Sequence, residues 1–313
     1  MTAQGDSRSS ETRESSEPVD PSKPSALSEG SESAESAESS EKRSNDSQKS
    51  YSTILDEEIE EGLEELERPT WGLLLSGFSA GLDIGFSVLL LAVLGTLAVG
   101  NLPPPLYEIL RASAYSVGFI LVVFGRSELF TEHTTLASLP VLARKASVAQ
   151  LARLWGLVYC SNLVGGAVFA ALLAVIGPEL GVVEPAAFQA LADDILDHRW
   201  SVIFASAILA GWLMGLVSWL VTAGRDTISQ VFFVWLVTGS IGFAHLHHCI
   251  IGSVEVLTAL IAGQAVTLLE FGRFLSAATA GNILGGVFFV ALVKYGHATK
   301  VRRAMRHSLP PRR

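Results

Sequence analysis

Long apolar runs separated by short polar connections fill the chain from Trp71 to Tyr295. A helix needs about 20 residues to span a hydrocarbon core about 30 Å thick, and six of the runs reach that length. Apolar and polar positions do not alternate at every second residue, so membrane-spanning strands are not indicated. The pattern predicts an all-α polytopic membrane protein in which six transmembrane helices pack as one bundle, with spans at 71–99, 112–143, 150–177, 200–222, 230–265 and 272–296.

The second and fifth spans are longer than one crossing requires. As straight helices they would extend roughly 48–54 Å, which exceeds the bilayer core even when a helix is tilted. The second contains the polar stretch "GRSELFTEHTT" and the fifth contains "HLHHCIIGSVEVL". Non-helical backbone at this depth is tolerated only inside protein or beside a wet cavity. We therefore predict that both spans are broken near the bilayer midplane, at 128–132 and 248–253.

Capping residues indicate where each helix resumes. Thr131 is predicted to cap the new helix in span 2, with Glu132 in its first turn. Gly252 or Ser253 is predicted to cap the counterpart in span 5, with Glu255 just inside it. The two half-helices would then present N-termini with free N–H groups and positive dipole ends near the midplane, an arrangement that attracts an anion.

An internal repeat links the third and sixth spans. "SNLVGGAVFAALL" begins at Ser161 and "GNILGGVFFVALV" begins at Gly281. Each half would hold three spans, and an odd number of crossings reverses the second copy, which predicts an inverted 3+3 repeat around a central site. The alternative is two similar Gly-rich helices with small-residue packing faces. Asn162 and Asn282 are equivalent in the repeat and are predicted to support the pore, by bonding across helices or by holding loop backbone.

The segments outside the transport domain of residues 71–296 differ sharply in composition. Residues 1–50 are rich in Ser and Glu and have few apolar side chains, so they are predicted to be a disordered acidic tail. Residues 51–70 predict an amphipathic helix, which either lies against a neighbouring subunit or is simply solvated. Residues 297–313 predict a basic cytoplasmic tail. The apolar face of the amphipathic helix holds Ile54, Ile59, Leu63 and Leu66.

Charge indicates the orientation and excludes one class of partner. Lys and Arg concentrate at Arg144, Lys145, Arg225 and the C-terminal tail, so both termini are predicted to be cytoplasmic. The long connection at 177–199 is acidic, which agrees with an external loop. The net charge of −9 comes mainly from the N-terminal tail and the helix after it, and phosphate would repel these segments. No nucleic-acid partner is predicted.

His248 is the strongest candidate for contact with a substrate. It lies beside the predicted break in span 5, where a neutral imidazole can donate or relay a proton and a charged one can balance an anion. The alternative is a core histidine bonded to a backbone carbonyl. Two of its neighbours, His245 and His247, have weaker claims. With Cys249 they match a metal cluster in composition only, because adjacent helical residues do not face one another. No metal or cofactor is predicted.

The charged residues near the breaks have two readings. Arg126 and Glu128 either line the pathway or form a buried ion pair that fixes the break. His133 belongs to the same polar cluster. Glu132 and Glu255 suit helix N-termini, although their negative charge would oppose an entering anion. Asp83, the only charge in span 1, is predicted to pair with a group on another helix.

Several short motifs together resemble the formate/nitrite transporter family. They are "AGLDIGF" in span 1, "ELFT" in span 2, "NLVGG" in span 3 and a histidine beside a broken fifth span. The resemblance covers the chain from about Ile54 to Tyr295. It implies a six-helix, aquaporin-like protomer assembled as a pentamer, with a pore in each protomer for small monovalent anions such as formate, nitrite, hydrosulfide or lactate. By position, Thr131 and His248 match the family's central threonine and histidine, and the two asparagines match its repeated asparagines.

The chain departs from the better-known members at both breaks. It has "GRSELFTEHTT" where they usually have a small neutral residue near "ELFT", and "IIGSVEVL" where they commonly have an asparagine after the histidine. The resemblance is therefore to a divergent branch, and it assigns no particular substrate.

Three functions follow from these patterns. The first is a cell-membrane transporter or channel for a small monovalent anion or its protonated acid. The second keeps the fold but conducts cations or protons through Glu128, Glu132, Glu255 and His248. The third is a membrane metalloenzyme using His245, His247, His248 and Cys249. No nucleotide-binding loop is visible, which argues against a pump driven by ATP, and we predict a transport protein that is not an enzyme.

Overall fold

The computed structural model describes residues 49–98, 101–297 and 300. The chain divides into two units, Met1–Gln48 and Lys49–Arg313, and the described residues belong to the second. The predicted disordered tail and the predicted basic tail therefore fall almost wholly outside the described residues.

The described part of the chain consists of helices and their connections, without strands, and the prediction of an all-α protein with mostly apolar helices is confirmed. The last helix continues through a π-helical stretch, Gly285–Leu292. The α-helices are α1 Tyr51–Glu67, α2 Thr70–Ala98, α3 Pro104–Gly125, α4 Phe130–Leu136, α5 Ser138–Leu142, α6 Val148–Glu179, α7 Pro185–Leu196, α8 Trp200–Ala223, α9 Thr227–Phe243, α10 Cys249–Ile261 and α11 Leu268–Leu284.

Among the described residues, five helices are long and apolar enough to cross a membrane. The apolar helices α9 and α10 are shorter and together cover the predicted fifth span. The connection predicted as an external loop contains helix α7, because Phe188 and Leu191 are buried and give it an apolar face. Helix α7 packs against α10. The five long helices are Thr70–Ala98, Pro104–Gly125, Val148–Glu179, Trp200–Ala223 and Leu268–His297.

Glycines allow two pairs of helices to approach at backbone distance. A Cβ atom at Gly81 on α2 would lie 2.2 Å from the carbonyl oxygen of Asn162 on α6, and a Cβ atom at Gly211 on α8 would lie 2.2 Å from that of Asn282 on α11. Small residues are the usual means of close helix packing in membranes. This packing carries both asparagines into the protein interior, where each is fully buried.

The N-terminal helix α1 packs against its own chain. Ile54, Leu55 and Ile59 are buried in a cluster with Leu139 of α5 and Trp219 of α8. The prediction that this face lies against a neighbouring subunit, or is merely solvated, is wrong, because α5, α8 and the end of the last helix supply an apolar surface that removes it from water. The acidic face of α1 stays open and lines a cavity.

Glu58 ties α1 to α8 and should make the contact sensitive to pH. Thr222 Oγ1 donates a hydrogen bond to Glu58 Oε1 (2.7 Å), Ser218 Oγ donates to Oε2 (3.3 Å), and burial raises the pKa of Glu58 to about 8. Because the buried carboxyl is protonated, its stabilisation of the docked helix is complete below about pH 4.5, the ordinary pKa of a glutamate. We expect docking to weaken by about 1.4 kcal/mol per pH unit from there to about pH 8.

Hydrogen exchange of the α1 amides across this range would measure the effect. Glu58→Gln should reduce the pH dependence, whereas Glu60→Gln, at an exposed position on the same helix, should leave it unchanged. Equal pH dependence in wild type and Glu58→Gln would contradict the prediction.

Candidate functional site

The second span is interrupted at 126–129, slightly earlier than predicted. Arg126 ends α3 in the left-handed conformation (φ 52°), and Leu129 is the residue before α4. The prediction that Thr131 caps this helix is wrong. The N–H of Phe130 donates instead to Asn162 Oδ1 at 2.8 Å, so the cap comes from a distant helix. Glu132 does lie in the first turn of α4.

The fifth span is interrupted at 244–248, also earlier than predicted. His248 itself is the N-cap of α10, with Nδ1 accepting the N–H groups of Ile250 (3.3 Å) and Ile251 (3.4 Å). The prediction of a cap at Gly252 or Ser253 is wrong because the histidine ring takes that role one turn earlier. Both residues lie inside α10, where Gly252 leaves room for the ring of Phe274, and Ser253 Oγ donates to the carbonyl of Cys249.

Asn162 and Asn282 hold the two interruptions in the same way. Asn282 Oδ1 accepts the N–H of Cys249 (2.8 Å), and its Nδ2 donates to the carbonyls of His247 (3.1 Å) and Ala207 (2.8 Å). Asn162 Oδ1 accepts the N–H of Phe130, and its Nδ2 donates to the carbonyls of Glu128 (2.9 Å) and Gly77 (2.7 Å). Each asparagine thus fixes the peptide groups on both sides of one residue, His248 in one case and Leu129 in the other.

The interruptions bring Thr131 and His248 into direct contact. Thr131 Oγ1 lies 2.8 Å from His248 Nε2. Because Nδ1 accepts two backbone N–H groups, the proton of the neutral ring belongs on Nε2, which donates to the hydroxyl. The ring of Phe119 packs edge-on against the imidazole at a centroid distance of 5.3 Å. All three side chains are at most 2% exposed, so they form a closed, buried contact, which we call the constriction.

The backbone at the two half-helix N-termini is less available than expected. In α10 the N–H of Cys249 donates to Asn282, and those of Ile250 and Ile251 donate to the ring of His248. The N–H of Gly252 donates to the backbone carbonyl of His248. The prediction of free N–H groups is therefore wrong for α10. The side-chain donors at the constriction are the Thr131 hydroxyl and His248 Nε2–H, and Nε2–H donates to the Thr131 oxygen.

An acidic cavity of about 890 Å³ lies beside the first interruption, and Glu132, the residue after Thr131, is part of its lining. Its lining includes seven glutamates but only two arginines and one histidine. Such a balance of charge repels anions and attracts protons and cations. The charged lining comes from the open face of α1 and from the first interruption: Glu57, Glu60, Glu61, Glu64, Glu65, Arg68, Arg126, Glu128, Glu132 and His133.

An ion-pair network joins α1 to the first interruption at this cavity. Glu128, only 3% exposed, pairs with Arg68, which also bonds Glu65 Oε2 at 3.3 Å. Of the two alternatives for Arg126 and Glu128, the mutual ion pair is therefore wrong: Arg126 is exposed, has a left-handed backbone and lines the cavity. His133 Nδ1 donates to the carbonyl of Leu129, and its Nε2 lies 3.8 Å from Glu65 Oε2.

Asp83 also contacts the first interruption. Its Oδ2 accepts a hydrogen bond from Ser127 Oγ at 3.1 Å and one from Ser79 Oγ, on its own helix, at 3.4 Å. The predicted partner on another helix is instead a hydroxyl in the connection between α3 and α4. Asp83 therefore helps to position the interrupted backbone.

A second, small cavity of about 30 Å³ is lined by His248, Gly252 and Glu255 of the predicted fifth span. Helix α3 contributes Arg111 and Tyr115. The Arg111 guanidinium donates to Asp194 Oδ2 (2.7 Å) and to His245 Nδ1 (2.6 Å). The ring of His247 contacts Ser206 Oγ (2.9 Å) and the carbonyl of Ile195 (3.1 Å). The two cavities share no lining residue.

Sequence reasoning missed part of this site. Arg111, Tyr115 and Phe119 are spaced four residues apart on α3 and share one helical face; that spacing was a usable signal. Arg68 gave no such signal, since its partner Glu128 is distant in sequence.

Among the described residues, no three His, Cys, Asp or Glu side chains are arranged to hold a metal ion.

Comparisons with known proteins agree on one family. A sequence model described as formate/nitrite transporter matches residues 52–296. The inner membrane protein YfdC of Escherichia coli is 32% identical over 238 residues, which cover 75% of this chain and 75% of that protein.

Two solved structures have the same fold. One, described as an FNT family ion channel, matches with a TM-score of 0.72 at 23% identity and covers 78% of this chain and 98% of that one. The other, a pentameric formate channel with formate bound, matches with a TM-score of 0.65 at 24% identity and covers 74% and 98%.

Proposed function

The chain belongs to the formate/nitrite transporter family, and we propose that it forms a membrane pore for small monovalent anions, such as formate or nitrite, or for their protonated acids. The main support is the closed contact of Thr131 with His248, with one cavity lined by His248 and a separate one lined by Glu132, the neighbour of Thr131. The related transporters and channels also support a transport protein rather than an enzyme.

Neutral hydrogen-bond donors define what the constriction accepts. His248 Nε2–H and the Thr131 hydroxyl can each donate to one oxygen of a small carboxylate or of nitrite. Neither donor carries a positive charge, and the surrounding side chains are buried. A bare anion would therefore lose its hydration there without gaining a counter-charge. The neutral acid avoids most of that cost. Passage therefore involves a proton that joins the anion at or near the constriction.

The proposal includes an architecture. Six spans would be formed by α2, α3 to α5, α6, α8, α9 with α10, and α11 with the π-helix, arranged as an aquaporin-like inverted 3+3 repeat. The matched bonds of Asn162 and Asn282 support the repeat. Tyr51 OH donates to the carbonyl of Lys294 (3.1 Å), so the first and last described helices meet on one side, which the basic tail assigns to the cytoplasm. The pentameric relative supports a pentamer in the cell membrane.

The acidic cavity favours a second candidate, a pore for protons or other cations. Seven glutamates at one mouth would concentrate cations and repel a free anion. Flux measurements separate the candidates. We expect purified protein in liposomes to pass formate or nitrite with protons and to exclude Na⁺ and K⁺; cation flux without anion flux would refute the anion proposal. Tightly bound metal in stoichiometric amount would instead favour the metalloenzyme hypothesis.

A further inference from the structure

His248 is poorly suited to supply the proton that the proposed function requires. A charged imidazole carries a hydrogen on both nitrogens, but Nδ1 already faces the N–H groups of Ile250 and Ile251. A hydrogen at Nδ1 would point at two donors. The ring is therefore held neutral as a donor through Nε2, and the proton must come from another group.

Glu255 is the acidic group that shares a cavity with His248. Its side chain is 5% exposed and lies on α10 along the small cavity. We call this cavity the outer cavity, because Asp194, in the connection predicted to be external, also lines it. Across the described residues, no hydrogen bond or ion pair includes its carboxyl group. A buried, unpaired carboxylate is strongly disfavoured unless it takes up a proton or meets a donor.

The charged neighbours of Glu255 are already engaged. Arg111 is bonded to Asp194 and to the His245 ring, and the ring of His247 has partners at both nitrogens. Helix α3 supplies one more group, the Tyr115 hydroxyl, which is buried without a hydrogen-bond partner in the described structure. The titratable or charged groups facing Glu255 from all sides of the cavity are Arg111, Tyr115, Asp194, His245, His247 and His248.

The size of the cavity fits a single water molecule. A site needs about 10–15 Å³ and two to four polar partners to hold one water, and this cavity offers about 30 Å³ with Glu255 and Tyr115 among its lining residues. Water placed there would satisfy both side chains and would adjoin the constriction at His248.

We propose that Glu255 and Tyr115 bind a water molecule in the outer cavity, and that Glu255 donates a proton through this water to the anion held at Thr131 and His248. The O–H bond of the carboxyl group breaks, the water receives that proton and passes one of its own to a substrate oxygen, and the products are the Glu255 carboxylate, water and the neutral acid. The carboxylate is protonated again from the outer solution, so one proton crosses with each anion. This role rests on the proposed anion transport.

Glu255→Gln tests the proposal, with formate flux into proteoliposomes measured against outer pH and in D₂O. Formate flux through the wild-type protein should change little with pH while Glu255 is protonated, and it should be slower in D₂O. Formate flux through the variant should be at least about tenfold slower and should not depend on D₂O. This flux should be proportional to the bulk concentration of formic acid, so it should fall about tenfold for each unit of rising pH. Glu184→Gln, at an exposed position, is the matched control and should behave as wild type.

Tyr115→Phe keeps the test decisive if Glu255→Gln does not assemble. It removes one oxygen and should slow the flux severalfold and reduce the D₂O effect. The relay would be overturned, with anion transport left intact, if assembled Glu255→Gln had the flux, pH profile and D₂O effect of wild type. If Glu255→Gln does not assemble, the same result in Tyr115→Phe would overturn it. Absence of formate and nitrite flux in wild type would instead refute the proposed function.

Discussion

Replacing His248 by phenylalanine is expected to abolish or invert anion selectivity while leaving the oligomer folded. The change removes the Nε2–H donor that faces Thr131, and a hydrogen bond to a charged group contributes about 1.5–3 kcal/mol. Binding of an anion at the constriction should therefore weaken by about ten- to a hundredfold. Initial rates for formate, nitrite and chloride in proteoliposomes, with size-exclusion chromatography for assembly, measure the result.

A second variant separates the two roles of His248. Phenylalanine also removes the N-cap at Ile250 and Ile251, which costs about 1 kcal/mol. His248→Asn should keep a cap, because asparagine is a preferred N-cap residue, but its short side chain cannot reach Thr131. It should fold like wild type and still lose anion flux. His247→Phe should be milder. If His248→Phe transports every tested anion at the wild-type rate with unchanged pH dependence, the histidine serves only in packing.

The overlong spans were the part of the fold most open to sequence reasoning. A straight helix of that length cannot fit the bilayer, and polar residues such as Glu128 and His248 mark where the helix gives way. The repeated "NLVGG" and "NILGG" segments likewise pointed to Asn162 and Asn282. These signals are local in sequence, so they were visible without coordinates.

The positions of the caps were not visible, because they depend on tertiary contacts. Thr131 and Ser253 have high capping propensity, but an asparagine side chain from a neighbouring helix already bonds the first amide of each half-helix. Once that bond forms, the helix starts one or more residues earlier. The alternative in which Glu128 pairs with Arg126 fails for the same reason: Arg126 is close in sequence, while Arg68 is close in space.

The acidic face of α1 lines a cavity, which its sequence alone does not indicate. Glutamates such as Glu60 and Glu64 look like an ordinary solvated face, but they line the same cavity as Glu132. That cavity should discourage a free anion from entering on this side and should promote release of one that arrives as the neutral acid. Raising the salt concentration on this side should reduce both effects, because it screens the glutamates.

The two buried asparagines should be the most sensitive positions in the fold. Each makes three hydrogen bonds that fix an interrupted backbone. Unmade bonds to buried peptide groups cost about 1–3 kcal/mol each, and both asparagines are 0% exposed. Asn282 also holds the peptide groups on both sides of His248, so its loss should move the imidazole away from Thr131.

Asn282→Leu is expected to lower the thermal midpoint of the assembled protein by at least about 5–10 °C, given roughly 2–4 °C per kcal/mol for a domain of this size, and to abolish anion flux. Asn162→Leu should destabilise to a similar degree, because its three bonds are equivalent. Asn282→Asp should be intermediate: it keeps the acceptor for Cys249 N–H but loses both amide donors. The matched control is Asn101→Leu, since Asn101 is exposed and, among the described residues, its side chain bonds only the carbonyl of Leu97; the midpoint of this variant should stay near that of wild type. Midpoints measured by heating followed by size-exclusion chromatography decide the matter, and an unchanged midpoint with wild-type flux in Asn282→Leu would show that the interruption does not depend on this side chain.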